Sequence, residues 1–257
     1  MVYRKTISLN HIERGMIKIH YLYHSGFALE VDETTLLIDF YQDSIPHAGY
    51  VYNTILKREN PLYIFSTHVH HDHFTKEIID WSAKRENITY ILSDDILPVF
   101  SKKSSTINYL GKGDLFNDQK VKVKAYGSTD AGVSFVIEIG NYKIFHAGDL
   151  NNWHWRDESS EAYSRQAEAD FLRELSIIKE DYRAFDLVFF PVDNRMGSDY
   201  MRGAEQFLDQ IQTNLFIPMH FSEEYAGGNA FKAYAEKKNT KFFTINKRGD
   251  SMVFEKK

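Results

Sequence analysis

Apolar positions along this chain recur at two spacings, and the switching between them outlines a fold of mixed sheets and helices. Residues 17–23 alternate as a half-buried strand does, and His24-Ser25-Gly26 makes a turn. Strands are predicted over 27–31 and 35–39, joined by the acidic turn 32–34. Residues 49–60 have helical spacing that stops at Asn60-Pro61, where proline ends a helix. The run 62–66 reads as a strand, 75–86 as an amphipathic helix and 89–92 as another strand. Residues 121–126 alternate apolar and basic, which predicts one wet face. Strands 133–139 and 142–146 flank Gly140-Asn141 as a hairpin. A charged stretch, about 151–183, has helical spacing from 160 to 180; no linker-like composition surrounds it, so it reads as a helical excursion within one domain. The last third predicts a strand at 187–190, a helix at 203–212, a strand at 215–219, a helix at 228–238 and a strand at 241–245. This order predicts an α/β (α+β) domain spanning 1–257, with mixed β-sheets covered by helices.

Composition narrows the function classes. The chain has 257 residues, 43% hydrophobic and 26% charged, an ordinary globular balance. A formal net charge of −5 argues against a general nucleic-acid or anionic-membrane surface, so neither is an expected partner. The absence of cysteine removes disulfides, thiolate metal ligands and a thiol nucleophile. Residues 1–10 carry early positive charge without a following apolar stretch, and no apolar run approaches the roughly 20 residues that span a bilayer. The expected setting is the cytoplasm.

The chemistry concentrates after the strand at 62–66. Four of the chain's 11 histidines fall within Thr67-His68-Val69-His70-His71-Asp72-His73. Imidazoles crowded into one turn repel when protonated and add little packing, so a cation that they face is the economical explanation. Two downstream strand ends carry further ligand-type residues: Asp149 in Ala147-Gly148-Asp149, and His220 in Ile217-Pro218-Met219-His220.

The pattern His68-x-His70-x-Asp72-His73, followed in order by Gly148-Asp149 and His220, resembles the metallo-β-lactamase-fold hydrolases. Tyr23-His24-Ser25-Gly26-Phe27, His146-Ala147-Gly148-Asp149 and Ile217-Pro218-Met219-His220 look most like the branch containing ascorbate-6-phosphate lactonase, although Phe40 stands where a proline is common. The resemblance implies a four-layer αββα sandwich of two mixed sheets. It also implies one or two divalent ions, zinc foremost, with manganese or iron admitted by the same donors. His68 and His70 would serve site one, Asp72, His73 and His220 site two, and Asp149 both. Asp72 would in addition orient a metal-activated water. One departure stands out. The family's Gly-His-Thr is here Gly127-Ser128-Thr129-Asp130, so a serine occupies the place of a site-one histidine. Asp130 or His146 substitutes, water completes site one, or site two alone holds metal tightly; a weakened site one is the favoured reading.

Other residues divide between chemistry and packing. His71 lies at the motif's variable position and reads as a bystander. Asp39, at a strand end, can orient a ligand histidine or simply form a turn. His24 reads equally as a donor near the site and as a turn histidine. Trp153 and His154 either wall a substrate pocket or pack the helical excursion, and Arg195 either receives an anionic substrate group or makes a surface ion pair. No partner is evident for His11, His20 or His47. The expected function is hydrolysis of an ester, lactone, amide or phosphoester of a small molecule by metal-activated water. The rival is a metal-binding sensor or scaffold of the same fold. Oligomeric state is left open.

Overall fold

Alternation in the first third is realised as an antiparallel meander, β1 (Met16–Tyr23), β2 (Gly26–Val31) and β3 (Thr34–Ile38). The computed structural model describes residues 15–100 and 104–256; His11, residues 1–10 and Lys102-Lys103 lie outside them. Beyond β3 the chain crosses over to β4 (Leu62–Ser66), β5 (Ile88–Ser93) and β6 (Ile107–Leu110), all parallel to β3. The second sheet repeats this plan. β7 (Leu115–Asn117), β8 (Val121–Gly127), β9 (Val133–Ile139) and β10 (Tyr142–His146) form an antiparallel meander. Then β11 (Ala184–Pro191), β12 (Gln212–Met219) and β13 (Lys241–Phe242) lie parallel to β10. The last strand, β14 (Ser251–Glu255), returns to the first sheet beside β1. Each sheet has seven strands, ordered β14-β1-β2-β3-β4-β5-β6 and β13-β12-β11-β10-β9-β8-β7.

The sheets pack face to face through aromatic side chains, Phe27 against Phe189 (ring centroids 4.8 Å) and Phe65 against Phe135 (5.8 Å). On the far side of the second sheet, α3 (Glu161–Asp181) and α4 (Arg202–Gln210) cover the outward residues, as in Phe171 with Phe190 and Phe145 with Phe207. On the far side of the first sheet, α1 (Tyr50–Asn53) and α2 (Glu77–Asp80) contribute Val51, Ile78 and Ile79 to a second apolar cluster with Leu37 and Ile64. The expected four layers are present. Among the described residues no helix is long and apolar enough to cross a membrane.

Where prediction and structure differ, local chemistry explains it. The predicted helices at 49–60 and 75–86 shrink to α1 and α2, each followed by a 3₁₀ turn, Ile55–Lys57 and Trp81–Ala83. Helices of a dozen residues are marginal in water, and here apolar anchors on the sheet fix the segments instead. The predicted helix 228–238 breaks into α5 (Tyr225–Asn229) and α6 (Lys232–Lys237), because the Asn229 side chain brackets the main chain of Ile245 (3.1 and 2.7 Å). That same clamp shortens the strand expected over 241–245. The charged excursion is a loop over 150–160 followed by α3, whose N-cap Ser160 accepts from Tyr163 N at 3.2 Å.

Candidate metal centre

Every expected ligand lies at the carboxyl end of a parallel strand, where α/β sheets gather their sites. Asp39 follows β3, the histidine motif follows β4, Asp149 follows β10 and His220 follows β12. The two sheets meet here. Thr67 O accepts from Val133 N (2.9 Å), and His220 N donates to His24 O (3.2 Å). Two glycines allow this approach. Gly132 (φ +61°) and Gly148 (φ +53°) are left-handed, and a Cβ on them would lie 2.1 Å from Thr67 O and 2.8 Å from Thr67 Cβ respectively.

Donor atoms converge in two groups. His68, His70 and Asp149 form one; His24, Asp72, His73 and His220 form the other, with the donor atoms of each group within 4.8 Å of one another. Asp149 divides its oxygens between them. Oδ2 lies 3.3 Å from His68 Nε2, while Oδ1 lies 3.2 Å from His73 Nε2 and 3.3 Å from His220 Nε2. His68 Nε2, His73 Nε2 and Asp149 Oδ1 are buried without hydrogen-bond partners. Buried donors and acceptors left unpaired are costly, so this convergence fits a cation. Burial opposes charge on Asp149, yet the histidines around it hold its carboxyl well below the usual range. Burial likewise opposes protonation of His220, but Asp149 and Asp193 raise its pKa to about 10.

Groups behind the ligands fix which nitrogen faces the cavity. Asp39, fully buried, accepts from His73 Nδ1 (2.7 Å), from Thr67 N (2.8 Å) and from Thr67 Oγ1 (2.7 Å). With its proton committed to Asp39, the Thr67 hydroxyl accepts from His68 Nδ1 at 3.1 Å. Asp193, at the end of β11, accepts from His220 Nδ1 at 2.9 Å. In all three rings Nδ1–H is committed away from the cavity, so Nε2 is the nitrogen that faces it, and a cation binding there would displace the second proton that Asp149 favours on His220. His24 is held differently. Ser222 N donates to its Nδ1 (3.3 Å), and its Nε2 faces Asp72 Oδ2 at 3.4 Å. Burial pushes its pKa down to about 4, against the pull of Asp72. His24 Nε2 is, like those of His68 and His73, buried without a hydrogen-bond partner, so it is open to an ion in the cluster as well as turned towards Asp72. Burial would raise the Asp72 pKa, but the neighbouring imidazoles of His24 and His73 hold it low.

The remaining candidates separate cleanly. His71 is exposed, its side chain 81% accessible. Neither proposed substitute for the missing histidine joins the first group. His146 Nε2 pairs with Ser25 O (3.2 Å) while its Nδ1 accepts from Gly148 N (3.2 Å), and Asp130 is exposed. Ser128 Oγ accepts from Asp130 N at 3.4 Å. His154 is buried and engaged with Asp199 O (3.1 Å) and Arg156 N (3.1 Å), which makes it a packing residue and not a pocket wall. Trp153 donates to Asp149 O (2.7 Å), lies tilted against His220 (ring centroids 5.3 Å), and with Thr129 and Tyr163 lines a cleft of about 110 Å³. Arg195 pairs with Asp193 but keeps 59% of its side chain exposed. Of the partners found here, Asp193 and Thr67 had no role assigned from sequence; the signal was a polar residue directly following a buried apolar strand.

A model of a β-lactamase superfamily domain matches residues 18–164. The chain is 28% identical over 222 residues to a UPF0173 metal-dependent hydrolase of Methanosarcina barkeri, covering 80% of this chain and 84% of that one. A similarly named protein of Symbiobacterium thermophilum is 27% identical over 217 residues, with the same coverage. Among solved structures, the metallo hydrolase Igni18 of Ignicoccus hospitalis superposes with a TM-score of 0.68 at 17% identity, covering 94% of this chain and all of that one. The diiron β-hydroxylase CmlA of Streptomyces venezuelae gives 0.62 at 12% identity, covering 95% and 54%.

Proposed function

Because the chain belongs to the β-lactamase superfamily, with a metallo-β-lactamase fold, we propose that it is a metal-dependent hydrolase acting on an ester, lactone, amide or phosphoester of a small molecule. The observation that carries this reading is the ring of unpaired nitrogens and carboxylate oxygens around Asp149. When bound, a divalent ion supplies an acidified water and a polarised substrate oxygen. Asp72, half-buried and 3.4 Å from His24 Nε2, would face such a water and orient it. Arg195 offers its exposed guanidinium to a substrate anion, and Trp153 walls the apolar side. Metal-dependent hydrolase relatives support the reaction class. Imidazole and carboxylate donors suit zinc, with manganese and iron as competitors.

Site two has Asp72, His73 and His220 beside the shared Asp149; site one has only His68 and His70. We read site one as the weaker. Protein purified without chelator is expected to carry about one tightly held ion per chain, and Ser128→His to raise this towards two. Equal metal content in the two proteins sinks this reading. Ser128 also gives the scaffold alternative its footing. A panel of esters, lactones and phosphodiesters with zinc, manganese and iron separates the two: hydrolysis abolished in Asp72→Asn supports the enzyme, and no turnover with any metal supports the scaffold.

A further inference from the structure

A second polar cavity lies at the opposite end of the first sheet from the metal centre. It has a volume of about 460 Å³ and is lined by residues 56–59 and 84–87, the segments that lead into the amino ends of β4 and β5. The histidine motif leaves the other end of β4, roughly 15 Å away along the strand. Four of the lining side chains are cationic, Lys57, Arg58, Lys84 and Arg85, and two are anionic, Glu59 and Glu86. A net positive cavity is a local exception on a chain whose formal charge is −5.

Arg85 gives this cavity its character. It is only 7% exposed. Its guanidinium donates to the main-chain oxygens of Ile55 and Asn60, and more weakly to Asn60 Oδ1 (3.3 Å), all neutral acceptors. Its Nε is buried with no acceptor. Among the described residues no carboxylate answers its charge; burial, then the neighbouring Arg58, press its pKa below the usual value. Arg58 is itself spoken for, since it pairs with Glu30. Glu59, Glu86, Lys57 and Lys84 stand exposed around the rim. A buried guanidinium without a counter-charge is unusual, because desolvation is then uncompensated.

We propose that this cavity binds a small anion of the phosphate class, whose charge answers Arg85, Lys57 and Lys84 together. Arginine and lysine are the side chains suited to phosphate oxygens. The volume exceeds that of a bare phosphate and sits within the range of small-ligand pockets, so a phosphorylated small metabolite fits better than the inorganic ion. Asn87 adds a neutral hydrogen-bonding group to the lining.

The test follows amide resonances of the metal-loaded, full-length protein during titration with inorganic phosphate, ribose 5-phosphate and succinate. Saturable shifts in residues 57–59 and 85–87 are expected with both phosphates, tighter for the sugar phosphate. The double variant Lys57→Ala/Lys84→Ala should bind about tenfold more weakly while keeping the parent's metal content. Arg85 is left intact because it also holds the main chain. Shifts confined to residues around His73 and Asp149, unchanged affinity in the double variant, or succinate binding as well as phosphate would each overturn the assignment.

Discussion

Three imidazoles in this centre turn Nδ1 outward to an acceptor, and His24 is held differently. His68, His73 and His220 turn Nε2 inward because Thr67, Asp39 and Asp193 hold Nδ1–H. His24 meets Ser222 N at Nδ1 and turns Nε2 towards Asp72. His220→Ala is expected to lose bound metal and activity while circular dichroism stays native; parent-like metal content would refute its ligand role. His24→Gln keeps an N–H near the position of Nε2, so it should retain metal and most of the turnover, whereas His24→Phe should keep metal but lose turnover by about 10²-fold. A ligand role for His24 predicts instead that both variants lose metal. Away from the site, Glu30 is buried and accepts from His20 (2.9 Å), Tyr50 and Arg58. Burial would raise its pKa, but these donors lower it from 4.5 to about 2. Its stabilising contribution is complete above pH 4.5 and is lost as pH falls through about 2. Glu30→Gln should therefore cost about 3 kcal/mol at neutral pH, and urea titrations should show that gap closing in acid.

At the level of elements, the parts legible in the sequence were those that carry their own pattern. The strands β1 to β5 and β8 to β12 announce themselves by alternation or by short apolar runs, and α3 by its spacing. Of the four edge strands only β13 was legible, as the strand expected over 241–245. β6, β7 and β14 are short or half-exposed, so their composition resembles that of loops. The candidate ligands that converge here stood out in the sequence because the motif is dense and the remaining two residues end apolar strands. Asp193 was hidden because a lone aspartate after a strand is also ordinary turn chemistry. Gly132 was hidden too, and the junction of β4 with β9 depends on it. Gly132→Ala forces a Cβ against Thr67 O and His68, and should cost about 2–4 kcal/mol in urea unfolding of metal-free protein, with metal affinity lowered as well.

Across the whole molecule, the centre is a seam. His68, His70, Asp72 and His73 extend from the first sheet, Asp149 and His220 from the second. A cation held by both binds the folded state alone, so it stabilises through mass action. Removing it with a chelator should lower Tm by about 10 °C at metal concentrations a thousandfold above Kd. Asp149→Asn should erase the difference between chelated and loaded samples; an unchanged difference would mean that the ion sits elsewhere.

His24, Asp39 and His220 all adopt left-handed backbone, with φ of 56°, 48° and 66°. An L-residue pays about 1 kcal/mol for that conformation, which glycine accepts freely. Drift in a lineage that no longer needed the ion would thus favour losing these side chains, since each loss relieves the backbone. Selection for stability alone pulls against all three. A bound ion would offset that cost in an enzyme and in a metal-binding scaffold alike, so the strain marks where an ion is to be sought and not what is done with it.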